Sequence, residues 1–239
     1  MKVSVVIPTL NEAGHILSSL QSVKRQQGEV EIIVVDGGST DGTVEAVRPH
    51  ARVIISERGR AVQMNAGASM ATGEVFLFLH ADSRLPPDAV PALVQALEDH
   101  RVVGGTFRLR FDSRKFLLWL IAFFTRLKFR YFHYGDQGIF VRRSIFEQLA
   151  GFEEIPIMED VDFLRRLRKT GRVVLIKRAV TTSARRLLAH GLVRQQLLNI
   201  CLVILYLLGV NPHKLVKWYR RTDHRLAPGS LDMSSLAGE

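Results

Sequence analysis

Cysteine is almost absent from this chain: of 239 residues, only Cys201 carries a thiol. An internal disulfide framework is therefore excluded, and the composition suits a reducing cytoplasm. Zinc-finger spacing, an RNA-recognition signature and a clear helix-turn-helix are all missing, which argues against a nucleic-acid partner. The longest strongly apolar stretch, Leu197 to Val210, is 14 residues long. Crossing a bilayer takes roughly 20. The first apolar run, Val3 to Ile7, is broken at once by Pro8, Asn11 and Glu12 and does not read as a signal peptide. Also missing is a Gly-rich, basic loop after that run, which a nucleotidyltransferase would need to hold a triphosphate. "PTLNEAGH", Pro8 to His15, stands there instead.

Acidic residues thin out along the chain. Residues 1–100 hold 8 Lys and Arg against 12 Asp and Glu, whereas residues 101–239 hold 25 against 11. The overall charge of +10 thus sits in the second half and invites an anionic partner. Many of these basic residues flank apolar stretches. Arg194, Lys214 and Lys217 bracket Leu197–Val210, and Arg114, Lys115, Arg126 and Lys128 bracket Phe116–Phe124. Such pairing fits an anionic membrane surface, with the protein peripheral at the inner face of the plasma membrane. The same segments also suit a packed core or a homodimer interface.

What is present is an alternation of strands and helices. Val3–Ile7, Glu31–Val35, Arg52–Ser56 and Val75–Leu79 read as strands. Helical spacing falls between them, from Glu12 to about Gln26, near Val44–Val47, from Val62 to Met70, and from Pro86 to about Asp99. The order predicts an α/β fold with a Rossmann-like, mostly parallel central sheet flanked by helices. Val102–Phe111, Gly138–Val141 and Val173–Ile176 add strands, Ser144–Leu149 and Val161–Lys169 add helices, and Leu197–Val210 forms a C-terminal apolar helical region. Residues 1–186 are expected as the main domain, 187–221 as a helical region and 222–239 as a flexible tail.

Carboxylates mark the ends of these elements. Asp36 closes the apolar run of "VEIIVVDGGSTDGT", and Asp82 follows the fourth strand in "FLFLHADSRL". Parallel sheets bind ligands at the carboxyl ends of their strands, so the two can share a cleft. A carboxylate pair beside a diphosphate calls for Mg²⁺ or Mn²⁺. Asp136 lies in "YGDQGIF", while Glu159, Asp160 and Asp162 open a helix in "MEDVDF". A separate carboxylate on the acceptor side can act as a general base. Equally, Asp36 can cap its turn, and Glu159 and Asp160 can favour a helix N-terminus through its dipole.

Five segments in order resemble the family 2 glycosyltransferases of the GT-A fold: Pro8-Thr9-Leu10-Asn11-Glu12, Asp36 to Thr43, His80-Ala81-Asp82, Gly135-Asp136-Gln137 and Glu159-Asp160. "NAGA" at Asn65–Ala68, "LHAD" at Leu79–Asp82 and "TSARR" at Thr182–Arg186 are most similar to a small bacterial subgroup named for arsenosugar biosynthesis. The resemblance implies an inverting enzyme that moves one sugar from a nucleotide-diphosphate sugar to a hydroxyl acceptor, a small molecule or a lipid. Pro8, Thr9, Glu12, Asp36 and Ala81 would line the donor pocket. Asp82 would hold the metal, with His80 beside it, and Asp160 would be the catalytic base. Asp136, Gln137, Glu159, Arg185 and Arg186 would shape the acceptor side. Arg58, Arg60, Arg185 and Arg186 are candidates for phosphate contacts, because guanidinium forks match phosphate oxygens.

Two positions depart from the family pattern. Gly37 stands where a second aspartate is common, which weakens the expectation of a uridine donor. His80 stands where the metal motif usually begins with Asp. Along the extended chain end past Leu79, the His80 and Asp82 side chains are expected to point to the same side. The processive Gln-x-x-Arg-Trp motif is absent, which favours single transfers. A non-catalytic, membrane-associated nucleotide-sugar binding protein is the competing expectation.

Overall fold

The structure, a computed structural model, describes residues 1–113, 115–124 and 137–222. The strands are β1 (Val3–Thr9), β2 (Val30–Asp36), β3 (Arg52–Ile55), β4 (Val75–Phe78), β5 (Ser83–Arg84), β6 (Val102–Phe111), β7 (Ile139–Arg142) and β8 (Arg172–Thr182). The helices are α1 (Ile16–Lys24), α2 (Thr43–Val47), α3 (Arg60–Ser69), α4 (Ala89–Ala96), α5 (Phe116–Phe124), α6 (Arg143–Gln148), α7 (Glu159–Thr170), α8 (Arg185–His190), α9 (Leu192–Leu207) and α10 (Pro212–Thr222).

The eight strands form one sheet in the order β3-β2-β1-β4-β7-β6-β8-β5. β3, β2, β1 and β4 are mutually parallel. β7 runs antiparallel to both β4 and β6, and β8 is parallel to β6. Six strands therefore point the same way, and only β7 and β5 run against them. Their carboxyl ends share one edge, where β7 begins.

Strand alternation sorts the side chains into two cores. From β1, Val3, Val5 and Ile7 join Ile16, Leu20 and Leu93 beneath α1 and α4. Val6 faces the other way, against Met64, Phe76, Phe78, Phe146 and Phe163 beneath α3, α6 and α7. Both faces being covered explains why these strands read as unbroken apolar runs. β6 is squeezed between two neighbours at Gly104 and Gly105. A Cβ on Gly105 would lie 2.2 Å from the Val174 carbonyl oxygen, so no larger residue fits.

Several boundaries differ from expectation. α1 begins at Ile16, because residues 11–15 are taken up by a turn in which the His15 N–H reaches the Glu12 carbonyl. β8 extends to Thr182 rather than ending at Ile176. A register shift between Phe107 and Arg108 of β6 skips Lys177 and Arg178 of β8, and that polar bulge hides the strand's second half in the sequence. Residues 223–239, the expected tail, lie outside the described residues.

Candidate active site

The carboxyl edge of the sheet is built first by two interlocked loops. After β1, Asn11 adopts a left-handed conformation with φ of 55°. Its N–H donates to Ser39 Oγ at 2.8 Å, and its Oδ1 accepts from the Thr40 N–H at 2.9 Å. Glu12 N–H donates to Thr43 Oγ1 at 2.9 Å, and Ala13 N–H donates to Asp41 Oδ2 at 3.0 Å. The Thr43 hydroxyl hydrogen bond holds the Asp41 carboxyl below its ordinary range. Asp36, at the end of β2, is buried and accepts from the Gly38 and Ser39 N–H groups, both at 2.8 Å, and from the Ser39 hydroxyl. Its carboxylate thus shapes the loop that follows it.

Gly37 is covered by a side chain that the sequence did not single out. A Cβ there would lie 3.1 Å from the carboxamide of Gln63. Gln63 Nε2 donates to the carbonyls of Thr9 and Val35, both at 2.8 Å, and so ties the ends of β1 and β2 together. Close by, Thr9 Oγ1 is buried with no hydrogen-bond partner among the described residues. A buried hydroxyl without a partner from the protein is costly, and this one lies at the end of β1.

After β4 the chain does not stay extended. Ser83 N–H donates to the His80 carbonyl at 3.0 Å, closing a turn over residues 80–83, with Ala81 buried and Asp82 half-buried. β5 then pairs with the end of β8. His80 Nε2 lies 3.4 Å from Arg60 Nη1. A guanidinium only donates, so Nε2 accepts. Arg60, the first residue of α3, also donates through Nε to the carboxylate of Glu159.

Three acids open α7, and they have different surroundings. Glu159 is 1% exposed; burial pushes its carboxyl above the usual range, Arg60 opposes that, and Asp160 adds to it. Asp162 receives Arg165 at 3.0 Å, Arg166 at 2.6 Å and the Tyr206 hydroxyl at 3.1 Å. Burial works against its charge, but the arginines outweigh it and hold the carboxyl low. Asp160 is 8% exposed, the most of the three, and accepts from the Val161 N–H at 2.8 Å. The residue before them, Met158, sits at φ 70°, a conformation rare for a side-chain-bearing residue. Farther upstream, the Asn65 amide exchanges two 2.9 Å hydrogen bonds with the backbone of Phe152. This gives the "NAGA" motif a structural reason.

The remaining expected residues are placed as follows. Glu12 and Arg185 form an ion pair in which one guanidinium nitrogen, Nη2, donates to both carboxylate oxygens at 2.5 Å. This brings a donor-side and an acceptor-side candidate together. Pro8 is buried at the end of β1, Gln137 is buried just before β7, and Arg58 is exposed just before α3. Asp136 and the side chain of Arg186 lie outside the described residues. No group of three or more His, Cys, Asp or Glu side chains could hold a metal by itself among the described residues. Asp82 would offer one carboxylate to a cation such as Mg²⁺ or Mn²⁺ that takes its other ligands from a bound diphosphate, and His80, whose Nε2 faces Arg60, would join it only through its other ring nitrogen or after that contact opens. Gln63 and Tyr206 were missed, since neither lies in a segment that carried the resemblance. The only signal for Gln63 was its place two residues before "NAGA".

Comparison with known proteins agrees with this edge-on architecture. A PGL/p-HBAD biosynthesis glycosyltransferase of Mycobacterium tuberculosis is 33% identical over 175 residues, which cover 67% of each chain. The undecaprenyl-phosphate 4-deoxy-4-formamido-L-arabinose transferase of Proteus mirabilis is 34% identical over 189 residues, covering 69% of this chain and 57% of that one. Among solved structures, S. aureus TarS in complex with UDP superimposes with a TM-score of 0.63 at 20% identity, covering 77% of this chain and 60% of that one. The mannosyltransferase PcManGT of Pyrobaculum calidifontis, in complex with GDP-Man and Mn²⁺, gives 0.60 at 26% identity, covering 75% and 56%. The chain therefore spans under two thirds of several of these relatives. The model of glycosyl transferase family 2 matches residues 4–150, from β1 through the end of α6, so the two interlocked loops, the Arg60 helix and the turn at Asp82 all fall within it, and the chain belongs to that family.

Proposed function

We propose that this glycosyltransferase moves one sugar from a nucleotide-diphosphate sugar to a hydroxyl acceptor, with inversion at the anomeric carbon. Asp160 takes the proton from the acceptor hydroxyl. The acceptor oxygen then forms its bond to the anomeric carbon from the face opposite the diphosphate, and the carbon–oxygen bond to the diphosphate breaks. The observation that carries this assignment is the place of Asp160 at the start of α7, on the carboxyl edge of the sheet, where it is the most exposed of the three acids. Pro8, Thr9, Glu12 and the Asp36 loop would receive the nucleoside, and the orphaned Thr9 hydroxyl supports that placement.

A divalent cation bound with the donor would be held by Asp82, with His80 beside it, and would supply positive charge to the leaving diphosphate. Arg60, which bridges His80 and Glu159 at this edge, would contact a phosphate of the donor. Residues 1–186 would be the catalytic unit and 187–221 a helical appendage. The acceptor would be a small molecule or a lipid, met in the second case at an anionic membrane surface. The test is donor hydrolysis and transfer by the purified chain over a panel of nucleotide sugars with Mn²⁺ or Mg²⁺. Release of nucleoside diphosphate from at least one donor is expected. No turnover or binding with any donor would overturn the proposal.

A further inference from the structure

Helix α9 has two unlike sides. Leu202 and Val203 are buried, and Tyr206 reaches Asp162 of α7 at 3.1 Å. On the other side Val193, Leu197, Ile204 and Leu208 are 58%, 61%, 51% and 76% exposed. At 100° per residue these four fall within about 60° of one another, on the side away from Leu202 and Tyr206. They form a continuous apolar stripe some four turns long. Single exposed apolar residues are ordinary, but an aligned row of four is not.

The charge around the stripe identifies what covers it. From Arg185 to Thr222 the chain carries seven Lys and Arg and no Asp or Glu. Arg194 lies beside the stripe at one end, and Lys214 and Lys217 are exposed on α10 just past the other. A protein partner or a second copy would have to cover a row of leucine-type side chains and also neutralise this charge. A bilayer rich in anionic lipid does both along its whole length. None of the described helices is long and apolar enough to cross a membrane. At 1.5 Å per residue, α9 would lie flat in the interface for roughly 24 Å.

We infer that α9, with the start of α10, is the surface by which this enzyme docks on an anionic membrane. The opposite side of the same helix is fastened to α7, which bears Asp160. Docking would then set the acceptor side at a fixed height over the lipid headgroups, as suits an acceptor hydroxyl carried by a lipid. That last step rests on the proposed role of Asp160; the docking itself does not.

The experiment is flotation of the full chain with vesicles of phosphatidylcholine alone and of phosphatidylcholine with phosphatidylglycerol. Binding only to the anionic vesicles, weakened by added salt, is expected. The paired substitution Leu197→Glu and Ile204→Glu should reduce vesicle binding at least tenfold, while donor hydrolysis in solution is unchanged. Should that variant fail to fold, Lys214→Glu with Lys217→Glu leaves the apolar stripe intact and should still weaken binding severalfold. Cys201, exposed and the sole cysteine, gives a second readout. An environment-sensitive fluorophore attached there should shift to the blue on addition of anionic vesicles. Absence of flotation, or flotation unaffected by either variant, overturns the inference. So does a wild-type chain that ignores vesicles but self-associates through Leu197 and Ile204, since the stripe is then a contact between copies. Loss of docking with donor hydrolysis intact separates this failure from failure of the proposed activity.

Discussion

Arg60 and Glu159 stand 99 positions apart, yet the guanidinium of one donates directly to the buried carboxylate of the other. The pair ties the start of α3 to the start of α7 across the carboxyl edge of the sheet. It also leaves Glu159 poised, because burial drives its proton on while Arg60 drives it off. Replacing Arg60 by Met removes the opposing charge and should raise the Glu159 carboxyl further. Carbon-13 NMR titration of the carboxyl groups checks this. The sign is fixed: with a folded value above the unfolded one, Glu159 favours the folded state fully at low pH and loses that contribution as pH rises through its folded value. An unchanged Glu159 titration in Arg60→Met would show that the ion pair does not control it.

Asp160→Asn should lower turnover by about 10²–10⁴-fold, the usual worth of a general base. Donor affinity, measured by calorimetry with the nucleoside diphosphate, should be nearly unaffected. Near-normal turnover would transfer the role to Glu159, and Glu159→Gln is the companion variant that detects it.

Gly37 explains itself through Gln63. An aspartate at 37 would push its Cβ to within 3.1 Å of the Gln63 carboxamide. Gly37→Asp should therefore destabilise the fold by about 1–3 kcal/mol through overpacking. Gln63→Ala would strip the Thr9 and Val35 carbonyls of a donor, at a cost of about 1–3 kcal/mol. Combined, the two substitutions should cost clearly less than their sum, since the alanine makes room for the aspartate. Chemical denaturation of the four proteins in that cycle gives the coupling, and strict additivity would refute it.

The contrast between Asp36 and Gln63 shows what sequence could reveal. Asp36 was visible because a charge at the end of an apolar run is conspicuous, and the parallel strands with their buried faces were equally legible. Whether its carboxylate faces a ligand or its own loop was not, since that depends on the hydrogen bonds from Gly38 and Ser39. Gln63 sits inside a helix as an ordinary polar residue, and only the crossing of α3 over β1 and β2 gives it a role. The same holds for Arg185 with Glu12 and for Tyr206 with Asp162: long-range pairs leave no local periodicity. In β8 only Val173–Ile176 is legible as strand, because the bulge carries Lys177 and Arg178, which break the apolar pattern without breaking the strand.

Metal should bind chiefly together with nucleotide. His80 Nε2 is already approached by Arg60, and Asp82 alone is a weak site for a hard cation. Calorimetry should show little binding of Mn²⁺ or Mg²⁺ to the protein by itself and clear binding once a nucleoside diphosphate is present. Mn²⁺, which accepts nitrogen more readily, should support at least as much activity as Mg²⁺. Asp82→Ala should abolish the nucleotide-dependent metal binding, and His80→Ala should narrow the difference between the two metals. Full activity in the presence of a chelator would remove the metal from the proposal.

Asp162 should behave as a structural carboxylate, and pH is the way to see it. Its charge is held by Arg166, Arg165 and the Tyr206 hydroxyl, and its carboxyl lies below the usual range. With a folded value below the unfolded one, its contribution is present at neutral pH and fades as pH falls through the folded value. Asp162→Asn should thus cost about 1.5–3 kcal/mol near pH 7 and progressively less in acid. On the other side of the bond, burial together with the Asp162 charge pushes the Tyr206 hydroxyl up to about 12. Tyr206 therefore stays protonated and donating through the whole neutral range. Tyr206→Phe keeps the ring and removes only the donor, so its cost should be smaller, about 0.5–1.5 kcal/mol. Urea unfolding of the wild type and both variants from pH 7 down to the acid limit of the fold measures all of this. A penalty for Asp162→Asn that does not shrink in acid would mean that the asparagine is disruptive for reasons of shape. The Asp162 charge, paired within α7 to Arg165 and Arg166 and across to Tyr206 of α9, would then not be what stabilises this part of the fold.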